Sequence, residues 1–211
     1  IEEDSGRGEA STGPSMTPLQ RWDIAVFHLI YGTVRHPILD LVFATLSTSA
    51  LGWLQAILGG ALLANPKWRA IGGRHLVAAT LCALAPLFKM YVDHDRPSTM
   101  AWVQEQESVY ARSFPSGHTT VAFAIGVLWF VTLRRQGNQW APLVLVWSVL
   151  CGVSRIYRGV HWPSDVIGAA LLGTLIGLGV LYTFAGAASV PVSDSASAPP
   201  SSPADEANNP S

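Results

Sequence analysis

The stretch Ser154-Arg-Ile-Tyr-Arg-Gly-Val-His161-Trp-Pro-Ser-Asp165 separates two long apolar segments of the chain. Its two arginines, histidine and aspartate stand where lipid-facing sequence should carry no charge. Ionisable side chains in such places are costly and, by default, mark functional sites. Two further polar stretches, residues 89–97 and 115–118, border apolar sequence in the same way. In chain order these are the first, second and third polar islands, and they are the candidate parts of one site.

The distribution of charge around the islands predicts a membrane protein. Of the 211 residues, 49% are hydrophobic and 13% are charged, about half the usual charged share. Asp, Glu, Lys and Arg are absent from residues 41–66, 75–88, 117–133, 136–154 and 166–193. Each window approaches the roughly 20 residues that span a bilayer, whereas a soluble helix would show a charged stripe. We expect an all-α, polytopic bundle with about five to six transmembrane helices. The net charge of −1 gives no indication of nucleic-acid binding.

The windows indicate five spanning helices and one shorter helix. The spanning helices are predicted at about 38–64, 75–92, 116–133, 139–157 and 163–186. The shorter apolar segment, residues 21–35, is predicted to lie in the membrane interface with Trp22 and Tyr31 at headgroup level.

One transmembrane domain, residues 21–186, follows from this assignment. The polar residues 1–20 and the Ser/Pro/Ala-rich tail at 187–211 are predicted to be disordered. The spacing of Gly173 and Gly177 in the last helix predicts close helix packing rather than chemistry.

Counting membrane crossings places all three islands at one face of the membrane. The short loops at the opposite face carry cations, namely Lys67, Arg69, Arg74, Arg134 and Arg135. Because positive loops favour the cytoplasmic side, we expect the islands to face outward. The same count puts the N-terminus outside as well, unless a further helix precedes Ile1, in which case the start would be cytoplasmic. The expected location is a bacterial plasma membrane, with the site on its extracytoplasmic side.

The cations of the islands indicate an anionic ligand. Lys89, Arg96 and Arg155, with Arg158 nearby, would repel one another at one depth unless an anion neutralised them. Arginine suits phosphate because its planar guanidinium donates paired hydrogen bonds. The alternative is that these side chains only extend from helix ends into the headgroup region.

The loop between the second and third spanning helices is acidic. It contains Asp93, Asp95, Glu105 and Glu107. A Mg²⁺ site is one arrangement for them, but no metal-ligand spacing appears, and we expect a solvated loop. His94 is expected to be an exposed loop histidine, with contact to a substrate headgroup as the alternative. No metal or other cofactor is expected.

The second island, Pro115-Ser116-Gly117-His118, opens an apolar helix. Ser116 is a favoured N-cap, Gly117 allows a ligand to approach the backbone, and free N–H groups at a helix start bind anions. His118 would lie beside such an anion and could donate a proton. The alternative is a capping turn with a solvated histidine.

The third island contains a histidine four residues before an aspartate. If a helix begins near Trp162, one turn brings the Asp165 carboxylate back to the His161 imidazole. Such a carboxylate fixes the tautomer and leaves the other ring nitrogen free. The helix N-terminus disfavours the imidazolium form, so His161 is expected to stay neutral and nucleophilic.

Together the islands resemble the three motifs of the type 2 phosphatidic acid phosphatase (PAP2) superfamily, which includes the vanadium haloperoxidases. The matching patterns are Lys89-x6-Arg96-Pro97, Pro115-Ser116-Gly117-His118 and Ser154-Arg155-x5-His161-x3-Asp165. The resemblance covers roughly residues 80–186. It departs from the family at Asp93-His94-Asp95, where family members often carry basic residues, and in the helix count, since the membrane branch commonly has six.

The resemblance implies a role for each motif residue. His161 would be the nucleophile that forms a phosphohistidine, Asp165 would orient it, and His118 would protonate the leaving group. The phosphoryl oxygens would be held by Lys89, Arg96, Ser116, Gly117 and Arg155. Phosphoryl transfer needs mainly positioning and charge neutralisation, which these cations could supply without a metal.

The resulting expectation is a metal-independent membrane phosphatase that acts on a lipid phosphomonoester or diphosphate, such as phosphatidate, phosphatidylglycerol phosphate or a polyprenyl diphosphate. The expected partners are this substrate and the bilayer, and the oligomeric state is not indicated. Two alternatives remain: a vanadate-dependent haloperoxidase, and an inactive membrane protein that binds lipid phosphates. Phosphate release, halide oxidation, or neither would distinguish the three.

Overall fold

The computed structural model of the protein describes residues 16–33, 35–109 and 112–186, and the predicted disorder at 1–15 and 187–211 lies outside these ranges. Within them the chain is helical and contains no strand, which confirms the all-α prediction. The helices are α1 (Pro18–Thr33), α2 (Pro37–Ser49), α3 (Gly52–Ala64), α4 (Arg69–Cys82), α5 (Gly117–Arg135), α6 (Pro142–Tyr157) and α7 (Pro163–Gly186). Two 3₁₀ turns, Ala85–Met90 and Pro97–Thr99, lie between α4 and α5.

Prolines begin several of these helices. Pro18, Pro37, Pro142 and Pro163 each stand at the first helical residue, where a missing N–H is not needed and the fixed φ is already helical. Helix α1 therefore begins three residues before the predicted position, inside the segment predicted to be disordered.

The predicted continuous helix at 38–64 is wrong, because the chain breaks there into α2 and α3. The two helices are bent by 57°. The amide Nε2 of Gln55 donates to the carbonyl of Ser49 at 2.6 Å. This bond satisfies a carbonyl that the break leaves without a helical partner. A polar side chain within the apolar window thus stabilises a bend that hydropathy alone does not indicate.

The number of spans also differs from the prediction. Three helical segments of the described chain are long and apolar enough to cross a membrane: Arg69–Met90, Gly117–Arg135 and Pro163–Phe184. The bent α2–α3 pair supplies a fourth if it is one span. Helix α6 has 16 residues, shorter than the predicted 139–157 because residues 138–140 form a turn in which Asn138 Oδ1 accepts the N–H of Trp140 at 2.8 Å.

Helix α5 lies at the centre of the bundle and contacts α4, α6 and α7. At the α5–α7 contact, a Cβ added to Gly173 would overlap the carbonyl oxygen of Thr120, and one added to Gly177 would lie 2.6 Å from the carbonyl oxygen of Ala124. The two helix backbones therefore touch, which confirms the packing role predicted for this glycine pair.

Helix α1 packs against α6 and α7, and its Tyr31 side chain is buried against the protein. Tyr31 is 7% exposed, and its hydroxyl accepts the N–H of Gln104 at 2.7 Å. On the same helix, the Asp23 carboxylate accepts both the N–H and the hydroxyl of Ser164, at 2.8 and 2.6 Å. Asp23 therefore caps the start of α7, the helix that carries the last motif aspartate.

Candidate active site

The two cations of the first island are anchored by backbone carbonyls. Lys89 lies in the turn Ala85–Met90 that continues α4, and its Nζ donates to the carbonyl of Arg112 at 2.9 Å. Arg96 is 9% exposed, and its Nη1 donates to the carbonyl of Val160 at 2.7 Å. These side chains tie the loop after α4 to the segments that precede α5 and α7.

The second island opens α5 as predicted, but its serine does not cap the helix through its side chain. Ser116 occupies the N-cap position and is buried, and its Oγ accepts a hydrogen bond from Thr119 Oγ1 at 3.0 Å. The first-turn N–H groups, including those of Gly117 and His118, have no partner within a helix. Such groups form an anion-binding site at a helix N-terminus.

Arg155 on α6 is 1% exposed and is held by groups that the sequence did not indicate. Its guanidinium donates to Ser47 Oγ and to both carboxylate oxygens of Glu107, with Nη1–Oε2 at 3.2 Å. Arg158 Nη2 lies 3.0 Å from the same Oε2.

The prediction that Glu107 belongs to a solvated loop is therefore wrong. Its carboxylate supplies the counter-charge that a buried guanidinium requires. Burial alone would raise the pKa of Glu107, but the hydrogen bonds and charge of Arg155 outweigh it, and the pKa lies below its usual value.

The predicted pair of His161 and Asp165 is assembled at the start of α7. His161 is 3% exposed, and its Nδ1 lies 3.4 Å from Asp165 Oδ2, one helical turn further on. Because a carboxylate only accepts hydrogen bonds, Nδ1 carries the proton and Nε2 keeps a lone pair. Burial lowers the pKa of His161 to about 4, so the imidazole is neutral at pH 7.

Asp165 also receives donors that the sequence did not predict. Its Oδ2 accepts the backbone N–H of Trp162 at 2.8 Å and the hydroxyl of Ser113, while its Oδ1 lies 2.8 Å from His94 Nδ1. The expectation of an exposed loop histidine at position 94 is wrong, because the acceptor on α7 draws this side chain inward. Ser113 had no motif or spacing to mark it.

The predicted site residues are brought together at one end of the bundle. Ser113 links two islands, since its carbonyl lies 3.5 Å from Lys89 Nζ and its hydroxyl 3.4 Å from His161 Nδ1. His118 lies within electrostatic reach of Arg155, Glu107 and His161. The gathered residues are Lys89, Arg96, Ser116, Gly117, His118, Arg155, His161 and Asp165.

An apolar cavity of about 490 Å³ adjoins this cluster. Gly117 and His118 form part of its wall, and the remainder comes mainly from small or apolar residues of α3, α4 and α5. Among them are Trp53, Ala79 and Ala83. The cavity therefore connects the polar cluster with space suited to hydrocarbon.

Comparison with known proteins identifies relatives of this chain. The family profile described as the PAP2 superfamily matches residues 72–188. Decaprenylphosphoryl-5-phosphoribose phosphatase of Mycobacterium tuberculosis is 35% identical over 130 residues, which cover 60% of this chain and 68% of that protein. The bacitracin transport permease protein BcrC of Bacillus licheniformis is 49% identical over 71 residues, 34% of this chain and 33% of the relative. Undecaprenyl-diphosphatase BcrC of Bacillus subtilis is 45% identical over 65 residues, 31% of this chain and 32% of the relative.

Two solved membrane-protein structures share the fold. The transmembrane PAP2 type phosphatidylglycerolphosphate phosphatase from Bacillus subtilis superposes with a TM-score of 0.69 and 24% identity, covering 81% of this chain and 88% of that one. Aquifex aeolicus LpxE superposes with a TM-score of 0.64 and 29% identity, covering 75% and 94%. Because the family profile matches 117 of the 211 residues and the fold agrees, this chain belongs to the PAP2 superfamily.

Proposed function

We propose that this protein is an integral membrane phosphatase that hydrolyses a lipid phosphomonoester or diphosphate through a phosphohistidine intermediate. The observation that carries the proposal is the His161 imidazole, held neutral on Asp165 beside buried cations. A neutral imidazole with a free Nε2 is a nucleophile, and Arg155 and Arg96 suit the charge of a phosphoryl group.

The first step forms a bond from His161 Nε2 to phosphorus while the bond to the leaving oxygen breaks. His118, which would be protonated once the phosphate dianion binds beside it, gives its proton to that oxygen. As the imidazole gains positive charge, Asp165 stabilises it through the Nδ1–H hydrogen bond. Lys89, Arg96, Arg155 and the first-turn N–H groups neutralise the charge on the transferring oxygens.

The second step returns the enzyme to its starting state. Water attacks phosphorus, the bond to His161 Nε2 breaks, and inorganic phosphate leaves. His118, now neutral, accepts the proton of that water and is ready for the next leaving group. No step requires a metal ion, because the protein's own cations neutralise the phosphoryl charge.

The substrate phosphate would bind Arg155 by displacing the Glu107 carboxylate. The phosphoryl oxygens and the Glu107 carboxylate would use the same donors on Arg155. Because the carboxylate and the phosphate repel each other, an anion that binds Arg155 takes the place of Glu107. The loop that carries Glu107 would move at this point.

The apolar cavity supports a lipid substrate. It begins at His118, which would face the leaving oxygen, so the part of the substrate nearest to phosphorus would lie between α3, α4 and α5. Relatives are named for polyprenyl phosphates and diphosphates, and phosphatidate or phosphatidylglycerol phosphate would present the same chemistry. The distribution of loop cations supports a site on the extracytoplasmic side, and the location that we propose is a bacterial plasma membrane.

The test is phosphate release by the purified full chain in detergent, over a panel of lipid monophosphates and diphosphates, with and without EDTA. We expect release from at least one lipid in excess EDTA. Labelled phosphate should be trapped on the wild-type protein and not on His161→Ala. Strict Mg²⁺ dependence, halide oxidation with peroxide instead of phosphate release, or normal turnover by His161→Ala would each contradict the proposal.

A further inference from the structure

We infer that His94 is a positioning residue for the proposed nucleophile, because it holds the Asp165 carboxylate in the rotation that presents Oδ2 to His161. The inference rests on the proposed phosphatase function. It adds a residue at one of the unspecified positions between Lys89 and Arg96 in the first motif, and this residue acts through Asp165.

The contact of His94 with Asp165 is shorter than that of the nucleophile. His94 Nδ1 lies 2.8 Å from Oδ1, whereas His161 Nδ1 lies 3.4 Å from Oδ2. The Asp165 side chain is fully buried, so water does not compete for Oδ1 as it would at a surface. The plane of the carboxylate is therefore fixed more strongly by His94 than by His161.

The two oxygens of Asp165 have different partners. Oδ2 accepts the N–H of Trp162 and the hydroxyl of Ser113 in addition to facing His161, whereas Oδ1 faces His94. Replacing His94 with an apolar side chain would leave a buried, charged oxygen without this donor. The carboxylate would then rotate toward other donors, and its alignment with His161 would be lost.

The backbone holds His94 in place independently of its side chain. The carbonyl of His94 accepts the N–H of Ser113 at 2.8 Å, and Ser113 in turn donates its hydroxyl to Asp165. The next carbonyl, that of Asp95, accepts the indole N–H of Trp162 at 2.7 Å. The loop before Arg96 is thus tied directly to the first turn of α7.

The charge of His94 is coupled to the same carboxylate. The acidic groups that act on it are Asp165 on α7, Asp23 on α1 and Asp95 on its own loop. The hydrogen bond to Asp165 raises the pKa of His94, against the opposing effect of burial. Protonated His94 would neutralise the charge that Asp165 offers to His161, so the attack should become faster as His94 loses its proton.

The test compares His94→Ala with His94→Asn, whose amide nitrogen can replace Nδ1 as a donor but does not titrate. His94→Ala should lower kcat by about tenfold or more, as loss of an orienting partner typically does. KM should stay within about twofold, because the lost contact is made to Asp165 and not to substrate. His94→Asn should regain most of kcat and should lose the rise in rate that accompanies deprotonation of His94. The exposed His28 supplies the matched control, His28→Asn, which should behave as wild type.

Several outcomes would overturn the inference. These are a normal kcat in His94→Ala, an equal loss in both variants, or a loss confined to KM, which would indicate substrate contact instead. If vanadate still stabilises His94→Ala thermally, the site of that variant is assembled. If vanadate no longer stabilises it, His94 is needed for folding rather than for aligning Asp165 with His161. Failure of the wild-type protein to release phosphate from any lipid would contradict the proposed function itself, whereas the other outcomes leave that function standing.

Discussion

Glu107→Gln is expected to strengthen anion binding at the site. The carboxylate accepts hydrogen bonds from Arg155, one of them at 3.2 Å, and lies 3.0 Å from Arg158 Nη2. An anion that reaches Arg155 must break these contacts first. Glutamine has the same size but keeps only one acceptor oxygen and carries no charge, so it competes less well for the two arginines.

The size of the effect follows from these contacts. Hydrogen bonds to charged groups contribute about 1.5–3 kcal/mol each, but the Glu107 side chain is 27% exposed and regains water when it is displaced. A net competition of about 1.4 kcal/mol therefore remains, which corresponds to about a tenfold lower dissociation constant for an anion in Glu107→Gln.

The measurement is the inhibition constant of vanadate, supported by the vanadate concentration that stabilises the protein thermally. Glu105→Gln is the matched control, because Glu105 is exposed in the same loop and loses the same charge. Screening should limit the effect of that variant to about twofold. Weaker vanadate binding in Glu107→Gln would contradict competition between Glu107 and the anion. It would mean that Glu107 holds the Arg155 side chain in the position that binds the anion. If Glu105→Gln strengthened vanadate binding equally, the effect would come from the change in net charge and not from the contacts of Glu107 with Arg155.

The ionisation of Glu107 should also make the stability of the fold depend on pH. Because its pKa is lower in the folded protein than in the unfolded chain, the carboxylate stabilises the fold above its unfolded pKa. That stability is lost as pH falls through the lower folded pKa. Glu107→Gln should therefore remove part of the loss of stability that we expect at low pH. The measurement is the melting temperature as a function of pH, and an unchanged profile would contradict the ion pair with Arg155.

Three further outcomes are expected. His161→Ala should lower phosphate release at least about a thousandfold with little change in melting temperature, since it removes the nucleophile. Gly173→Ala should destabilise the α5–α7 contact by about 1–3 kcal/mol, whereas Gly179→Ala, whose Cβ would meet nothing within 4 Å, should not; equal melting temperatures would contradict the close approach. Ala83→Phe should narrow the apolar cavity and lower kcat/KM for a lipid phosphate more than for a short water-soluble one, and equal losses would argue against the cavity as the lipid site.

The proximity of the motif residues could be predicted from their spacing because each motif is local. The separation of His161 from Asp165 is one helical turn, and proline at position 163 begins that helix, so the pair could be derived without knowledge of the fold. The convergence of Lys89 and Ser116 on the same end followed from counting apolar windows. Local patterns of this kind are determined by chain geometry.

The supporting contacts were not predictable in the same way. Glu107 and Ser47 reach Arg155 across 48 and 108 residues of sequence, and His94 reaches Asp165 across 71 residues. Nothing in an acidic loop distinguishes the one carboxylate that pairs with a buried arginine from those that face water. The break between α2 and α3 was missed for a related reason, because hydropathy measures composition and not the direction of a helix axis.

The cap that Asp23 places on Ser164 spans 141 residues and lies next to Asp165 in sequence. Ser47 likewise accepts a hydrogen bond from Arg155. Both Asp23 and Ser47, which hold residues of the proposed site in place, precede residue 72, where the family profile begins. A recombinant fragment trimmed to the profile boundaries would contain every motif residue and still lack both supports. Expression designs and truncation screens should therefore keep α1 and α2.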